Sequence, residues 1–418
     1  MRCSCGQENR ASENRCGRCG RRLLLGVDLR QFAGDAAVLV LLLAALGLVF
    51  LLRKHGVSPV DAVAAGQPGV EGAAGATRSD RLLRLAVTPP EFDDVGRLLD
   101  TFGSGYRYTE IPYDDLLDAD KLAPYDVVFL TCSGAPPAWL GRRLGQGDRG
   151  SPGIFRLKEP IMDQLNKSLR QYVRQGGTLY ASDWQFELVK IAFPEYIDEA
   201  RVGRGAAQKV RAEVLDPVLQ RRLGTSMELT FDKPAWRPAA FQGAEVNVDL
   251  RGRYELSDGT RVSGPLLVEF PFGNGNVIFT SFHNEAQNSK MELVLLRHLV
   301  FTTVTARLDA GIRRTLVEGG FSPVERNLLS ASTSDQSITA SYDSRAVRDL
   351  QFVLGFENRG AQLRLTVTGP DGRKIVKSGT STIRIEQPQA PPGIWRYTIT
   401  PVVVPYANFP FTMTVGEK

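Results

Sequence analysis

At 418 residues the chain is longer than one compact core supports, and two or three independent units are expected. Its apolar and charged fractions, 43% and 23%, are those of an ordinary globular protein. Residues 1–30 hold seven arginines against three acids, +4 of the chain's net +5. The remainder is near neutral, which argues against a nucleic-acid-binding body, because phosphates must be met by a basic face.

In chain order, the first feature is a cysteine cluster. Cys3, Cys5, Cys16 and Cys19 form C-x-C and, ten residues later, C-x-x-C. Four thiolates on two turns can close a tetrahedral zinc shell, and so small a segment has no apolar core to fold around instead. The pattern CSCGQEN…NRCGRCGRRL resembles the short zinc ribbons at the N-termini of many bacterial membrane proteins, although Ser4 alone separates the first pair where those ribbons carry two residues. The resemblance implies a structural Zn2+ in a ribbon over residues 1–24. A disulfide pair, or a ribbon that has lost its metal, are the alternatives. A reducing compartment disfavours the first, and retention of all four ligands weakens the second.

The stretch Ala36–Leu52, AAVLVLLLAALGLVFLL, has no charge. A buried core helix or a signal peptide would explain it too, but Arg53-Lys54-His55 follows directly, without the small residues of a cleavage site. A single transmembrane helix over residues 33–53 is expected. Arginines 10, 15, 18, 21, 22 and 30 precede it and only Arg53 and Lys54 just follow it, so the positive-inside rule puts the N-terminus in the cytoplasm. The C-terminal part then lies in the periplasm, or outside the cell, of a protein of the cytoplasmic (inner) membrane. Residues 54–79, rich in Gly, Ala, Pro and Val, read as a flexible tether.

From residue 80 to about 308, strand-like and helix-like segments alternate. LLRLAV, YRYTEIPY, YDVVFLT and TLYASDW read as strands, and DDLLDADKL and IMDQLNKSLRQYVRQGG as helices. This alternation predicts a three-layer α/β domain whose parallel sheet is covered on both faces. Residues 200–262 are more polar and read as an inserted β-meander or hairpin layer. PLLVEFPFGNGNVIFTSFH predicts two strands joined at Gly273-Asn274-Gly275, and MELVLLRHLVF a closing helix. Residues 310–334 are expected to include a linker. From 335 to 418, six or seven runs with period two, such as LRLTVTG and WRYTITPV, predict an all-β sandwich.

Three strand ends carry the candidate chemistry. YDVVFLTCSGAPP and SFHNE resemble the oxyanion-hole strand and the His-x-Glu of class I glutamine amidotransferase-like, flavodoxin-like folds, nearer the trehalose-utilisation-type branch. The resemblance implies that GGTLYASDW leads into the nucleophile elbow, with Ser182 or Asp183 where the family has cysteine, and that Glu285 orients His283. Tyr180 and Trp184 are bulky neighbours for a strained elbow. Cys132 falls on the oxyanion-side turn, so no Cys-His-Glu triad assembles. His283 can therefore be a base beside Ser182, Asp183 or Cys132, or a strand-end histidine satisfied by backbone groups, and the missing nucleophile favours the second. Cys132 is most simply a small buried hydrophobe. Trp139, Trp184 and Trp236 are most simply core or cleft-wall residues. There is no Walker loop, no Gly-x-Gly-x-x-Gly after the first strand and no His-Glu-x-x-His.

The segment LQFVLGFENRGAQLRLTVTGPDGRKI…PPGIWRYTI resembles the small sandwiches appended to bacterial secreted proteins, the pre-peptidase C-terminal and adhesion-type modules. It implies binding or spacing, with Trp395 and Tyr397 as core filler. The expectation is thus a membrane-anchored envelope protein, catalytically degenerate, with protein partners on both sides of the membrane and no nucleic acid. The rival is an extracytoplasmic hydrolase or amidase using His283 and Glu285 with Ser182, Asp183 or Cys132. A passive scaffold in a larger membrane complex is a third possibility.

Overall fold

The protein is described from a computed structural model, which covers residues 83–141, 157–331, 336–357 and 360–418, together with 23–24 and 27–28. Cys3, Cys5, Cys16 and Cys19, the apolar segment 33–53 and the tether 54–79 lie outside the described residues. No helix among the described residues is long and apolar enough to cross a membrane. In the N-terminal unit, β1 (Leu23–Leu24) and β2 (Val27–Asp28) form a short antiparallel pair.

The larger unit begins with a nine-stranded sheet. Its strands are β3 (Leu85–Val87), β4 (Tyr108–Glu110), β5 (Val127–Leu130), β6 (Thr178–Ser182), β7 (Gln208–Val214), β8 (Ser226–Phe231), β9 (Asn247–Glu255), β10 (Arg261–Phe272) and β11 (Gly275–Thr280). The order is β4-β3-β5-β6-β11-β10-β9-β7-β8. The first five are parallel to one another, and their chain order across the sheet is that of flavodoxin-like folds.

Successive residues of each central strand feed opposite cores. Val127 and Phe129 face one apolar cluster, Val128 and Leu130 the other, and Ile278 alternates in the same way with Val277 and Phe279. Both faces must therefore be covered. On one face lies α3 (Glu159–Arg174), which presents Leu165, Leu169, Tyr172 and Val173 at helical spacing and stops at Gly176, with φ of +105°. The short helices α2 (Ala119–Leu122) and α4 (Phe186–Ala192) join it there. The other face is covered by α1 (Val95–Asp100), α5 (Pro217–Leu223) and α6 (Lys290–Glu318).

Two expectations are corrected. The sheet is mixed rather than parallel throughout, and residues 200–262 do not form a separate layer: β7, β8 and β9 continue the same sheet in antiparallel pairing. The cause is β10, whose run Gly264–Phe270 is buried throughout and is flanked on both edges, by β11 through the Gly273-Asn274 turn and by β9. The stretch read as a linker holds the second half of α6 and the strand β12 (Ser322–Ala331). A capping box between Ser289 and Glu292 starts α6, and Ile312 and Leu316 in its second half are buried with Val353 under the sandwich.

The sandwich comprises β12, β13 (Ile338–Ser344), β14 (Arg348–Gly355), β15 (Gln362–Thr368), β16 (Lys374–Gly379), β17 (Ile383–Ala390), β18 (Gly393–Val403) and β19 (Phe409–Glu417). They form two four-stranded antiparallel sheets, β12-β19-β14-β17 and β13-β18-β15-β16. It therefore has eight strands rather than six or seven. Trp395 and Tyr397 lie in its core, as expected of filler.

Polar contacts fix the sandwich to the α/β layer. Asn408 donates to the Phe102 carbonyl at 3.1 Å, and its own carbonyl accepts from the Tyr106 hydroxyl at 2.6 Å. Arg326 of β12 reaches the fully buried Asp309 of α6 at 3.1 Å, with Glu269 at 3.7 Å. Removing one member of a buried ion pair leaves the other uncompensated, at a cost of about 3–5 kcal/mol. Asp309→Ala is accordingly expected to lower the unfolding free energy by about 3 kcal/mol, read as a fall in the urea midpoint. A midpoint equal to that of the unsubstituted protein would contradict this account of the interface.

Candidate functional site

The parallel order sets the carboxyl ends of β3, β5, β6 and β11 side by side, and open α/β sheets place their sites at such ends. Each end delivers one polar residue: Asp93 after β3, Cys132 after β5, Asp183 after β6 and His283 after β11. All four are buried. A fifth residue, Asp232, follows β8 and is partly open to solvent.

His283 is the hub. Its Nε2 lies 2.9 Å from Asp183 Oδ2 and 3.3 Å from Cys132 Sγ, and its Nδ1 lies 2.9 Å from Asp232 Oδ1. Cys132 Sγ is 3.6 Å from Asp183 Oδ2, and the other Asp183 oxygen accepts the Arg237 backbone N–H at 2.6 Å. Trp184 and Ala235 pack with Cys132 in a small apolar cluster. Asp93 clamps the turn that carries the histidine: its carboxylate accepts from the backbone N–H groups of Asn284 and Glu285 and from the Asn284 side chain, at 2.9–3.1 Å. Tyr180 donates to Asn284 Oδ1 at 3.1 Å from the adjoining strand.

Burial by itself pulls the His283 imidazole down. The hydrogen bond and charge of Asp183, then the charge of Asp93 and the hydrogen bond of Asp232, outweigh it and raise the imidazole to about 9. Burial pushes the Asp183 carboxyl up, against the opposing pull of His283 and the Arg237 amide. The Cys132 thiol is driven well above its ordinary range by burial and then by the charge of Asp183. These directions favour the imidazolium form of His283 and the protonated thiol of Cys132. An imidazolium donates from both nitrogens and has no lone pair with which to take a proton from sulfur.

The residues picked out from sequence separate accordingly. Cys132, Asp183 and His283 come together. Ser182 does not join them through its hydroxyl, which accepts the Cys132 backbone N–H at 3.1 Å. Glu285 does not orient His283; it is exposed and pairs with Arg97 at 3.2 Å, because Asn284 turns inward and Glu285 outward from the clamped loop. The carboxylate that orients His283 is Asp232. The Gly134 N–H, on the turn likened to an oxyanion hole, donates to the Glu91 carboxylate at 2.6 Å and is thus committed to an anion of the chain itself.

The elbow expectation is also corrected. Asp183 has φ of +47° and stands at a sharp turn between β6 and the 3₁₀ turn leading into α4. Bulky neighbours do not prevent it: the Tyr180 ring lies in the core beneath, and the Trp184 ring packs beneath the Arg237 guanidinium, 4.8 Å away. Aspartate tolerates positive φ better than most residues. Sequence reasoning missed Asp93, Asp232 and Arg237. Asp93 sat in plain view just after the first strand, in PEFDDVG, whereas Asp232 and Arg237 lay in a stretch read only as β-rich.

No protein-family model matches the sequence, and no curated protein does. Among solved structures, a ThuA-like protein from Bacteroides uniformis is similar at 14% identity over 56% of this chain and 96% of its own, with a TM-score of 0.33. A GMP synthase component from Thermoplasma acidophilum matches at 11% identity over 57% of this chain and 98% of its own, also with a TM-score of 0.33. A glutamine amidotransferase from Thermotoga maritima matches at 10% identity over 57% and 94%, with a TM-score of 0.28. At these scores the likeness carries no argument, and the fold rests on the strand order described above.

If Asp93 is the clamp, Asp93→Ala strands buried donors at Asn284 and is expected to cost about 3 kcal/mol. Urea unfolding measures this directly, and a loss below about 0.5 kcal/mol would show that the loop stands without it.

Proposed function

We propose that this chain is a membrane-anchored envelope protein whose amidotransferase-like α/β domain and β-sandwich bind a ligand or partner and do not catalyse acyl transfer. One observation carries the reading: the elbow position is held by Asp183, whose carboxylate is buried and committed to the His283 imidazolium. The thiol beside it is sealed from solvent and kept protonated. A cavity of about 200 Å³ beside the elbow, lined by residues including Tyr113, Ser133, Trp139, Trp184, Gln185 and Leu188, offers a mostly apolar seat for such a ligand.

The rest of the reading is drawn from sequence. The uncharged run Ala36–Leu52 supports a single-pass anchor in the inner membrane, and the arginine-rich head supports a cytoplasmic N-terminus. Cys3, Cys5, Cys16 and Cys19 would hold a structural Zn2+ there and present a docking surface to a partner inside the cell. The folded domains would meet their own partners on the far side.

A hydrolase reading draws on the alignment of Cys132, His283 and Asp232, which has the spacing of a nucleophile, base and orienting acid. Against it stand the second carboxylate on Nε2 and the engaged Gly134 amide. Thiol- and serine-reactive probes applied to the full chain with a metal chelator, with labelled peptides mapped by mass spectrometry, separate the two. The binding reading expects no labelling of Cys132 or Ser182 in the folded protein. Labelling of either that disappears in His283→Ala would establish an activated nucleophile and replace the binding reading with the hydrolase.

A further inference from the structure

We propose that Cys132, Asp183 and His283 form a binding site for a divalent transition metal of zinc-like chemistry. The ligand atoms come from three neighbouring strand ends and stand 2.9, 3.3 and 3.6 Å apart. Around a tetrahedral zinc, with bonds of about 2.0–2.3 Å, such atoms lie about 3.3–3.6 Å apart. The triangle therefore needs to open by only a few tenths of an ångström at its tightest edge.

What surrounds the triangle matches what such a site needs. Metal-bound histidines hand their second ring nitrogen to a carboxylate or carbonyl, which fixes the tautomer. Asp232 does this at Nδ1 and leaves Nε2 facing Asp183 and Cys132. The Arg237 N–H holds one Asp183 oxygen and leaves Oδ2 turned toward the same point. The Trp184 backbone N–H supports the sulfur.

Charge and ligand type narrow the metal. A thiolate, a carboxylate and a neutral imidazole around a dication sum to zero, a balance that a buried site can hold without a further counter-ion. Thiolate with imidazole suits zinc or cobalt and does not suit magnesium or calcium, which take oxygen. Three protein ligands leave a fourth position for water or a ligand atom. The ion would pin three strand ends that are now joined only by hydrogen bonds. The inference stands whether the domain binds or hydrolyses.

The test is cobalt titration of the full-length chain, reduced and in detergent, with Cys3, Cys5, Cys16 and Cys19 replaced by serine so that Cys132 is the only thiol. The proposal expects one Co2+ per chain with a sulfur-to-cobalt charge-transfer band, and loss of that band in Cys132→Ser. Asp232→Asn, whose folding is checked by circular dichroism, is expected to weaken cobalt binding by about 10–100-fold. A folded protein with no charge-transfer band at excess Co2+ would overturn the site. So would a band that survives Cys132→Ser, or an affinity unchanged by Asp232→Asn. The probe experiment, run with chelator, reports on nucleophile reactivity alone, so either reading can fail without the other.

Discussion

A histidine buried between two carboxylates is the constraint on which the strand-end constellation depends. Charged groups leave water at large cost, and a buried imidazolium persists only where its counter-charges are held in place. Asp183 and Asp232 meet His283 on opposite ring nitrogens, and both must be positioned by backbone. The elbow's positive φ delivers one, and the end of β8 delivers the other. Asp93 then secures the loop that carries the histidine to the end of the first strand. β8 lies at the far edge of the sheet, and Asp232, just past its end, reaches back to the His283 ring at 2.9 Å.

The geometry of the site bears directly on whether it could support acyl transfer. Such chemistry needs a lone pair on the imidazole and a free pair of amides near an exposed nucleophile. Here the imidazole is doubly committed, the Gly134 amide faces Glu91, and the sulfur has no solvent exposure. Three groups of metal-ligating type, fixed from behind by Asp232 and the Arg237 amide, are what remains. The docked sandwich, tied through Arg326 and Asn408 to the helix and loops of the α/β layer, belongs to the same compact unit.

The central parallel strands were legible because their runs, such as YDVVFLT, are buried on both faces and so read as continuous apolar segments. His283 and Asp183 were legible as strand-end polar residues. Their partners were less so. Asp232 is 51 residues from His283 and comes from strands whose alternating pattern is compatible with either an extra layer or a continued sheet. Glu285 was favoured by proximity in sequence, yet adjacent residues on a clamped turn diverge. The second half of α6 escaped notice although Val304, Leu308, Ile312 and Leu316 recur every four residues, because Asp309, Gly311 and Arg313-Arg314 interrupt the apolar run that the first half carries.

The central claim is that the imidazole of His283 is a buried cation held by Asp183 and Asp232. Nitrogen-15 NMR of the metal-free protein reports the protonation of both ring nitrogens directly. The account predicts an imidazolium at about pH 7 that gives up its proton only near pH 9, above the ordinary histidine range. A neutral ring at about pH 7, with Nε2 free to accept from Cys132, would contradict it and make the nucleophile–base pair the correct description of the site.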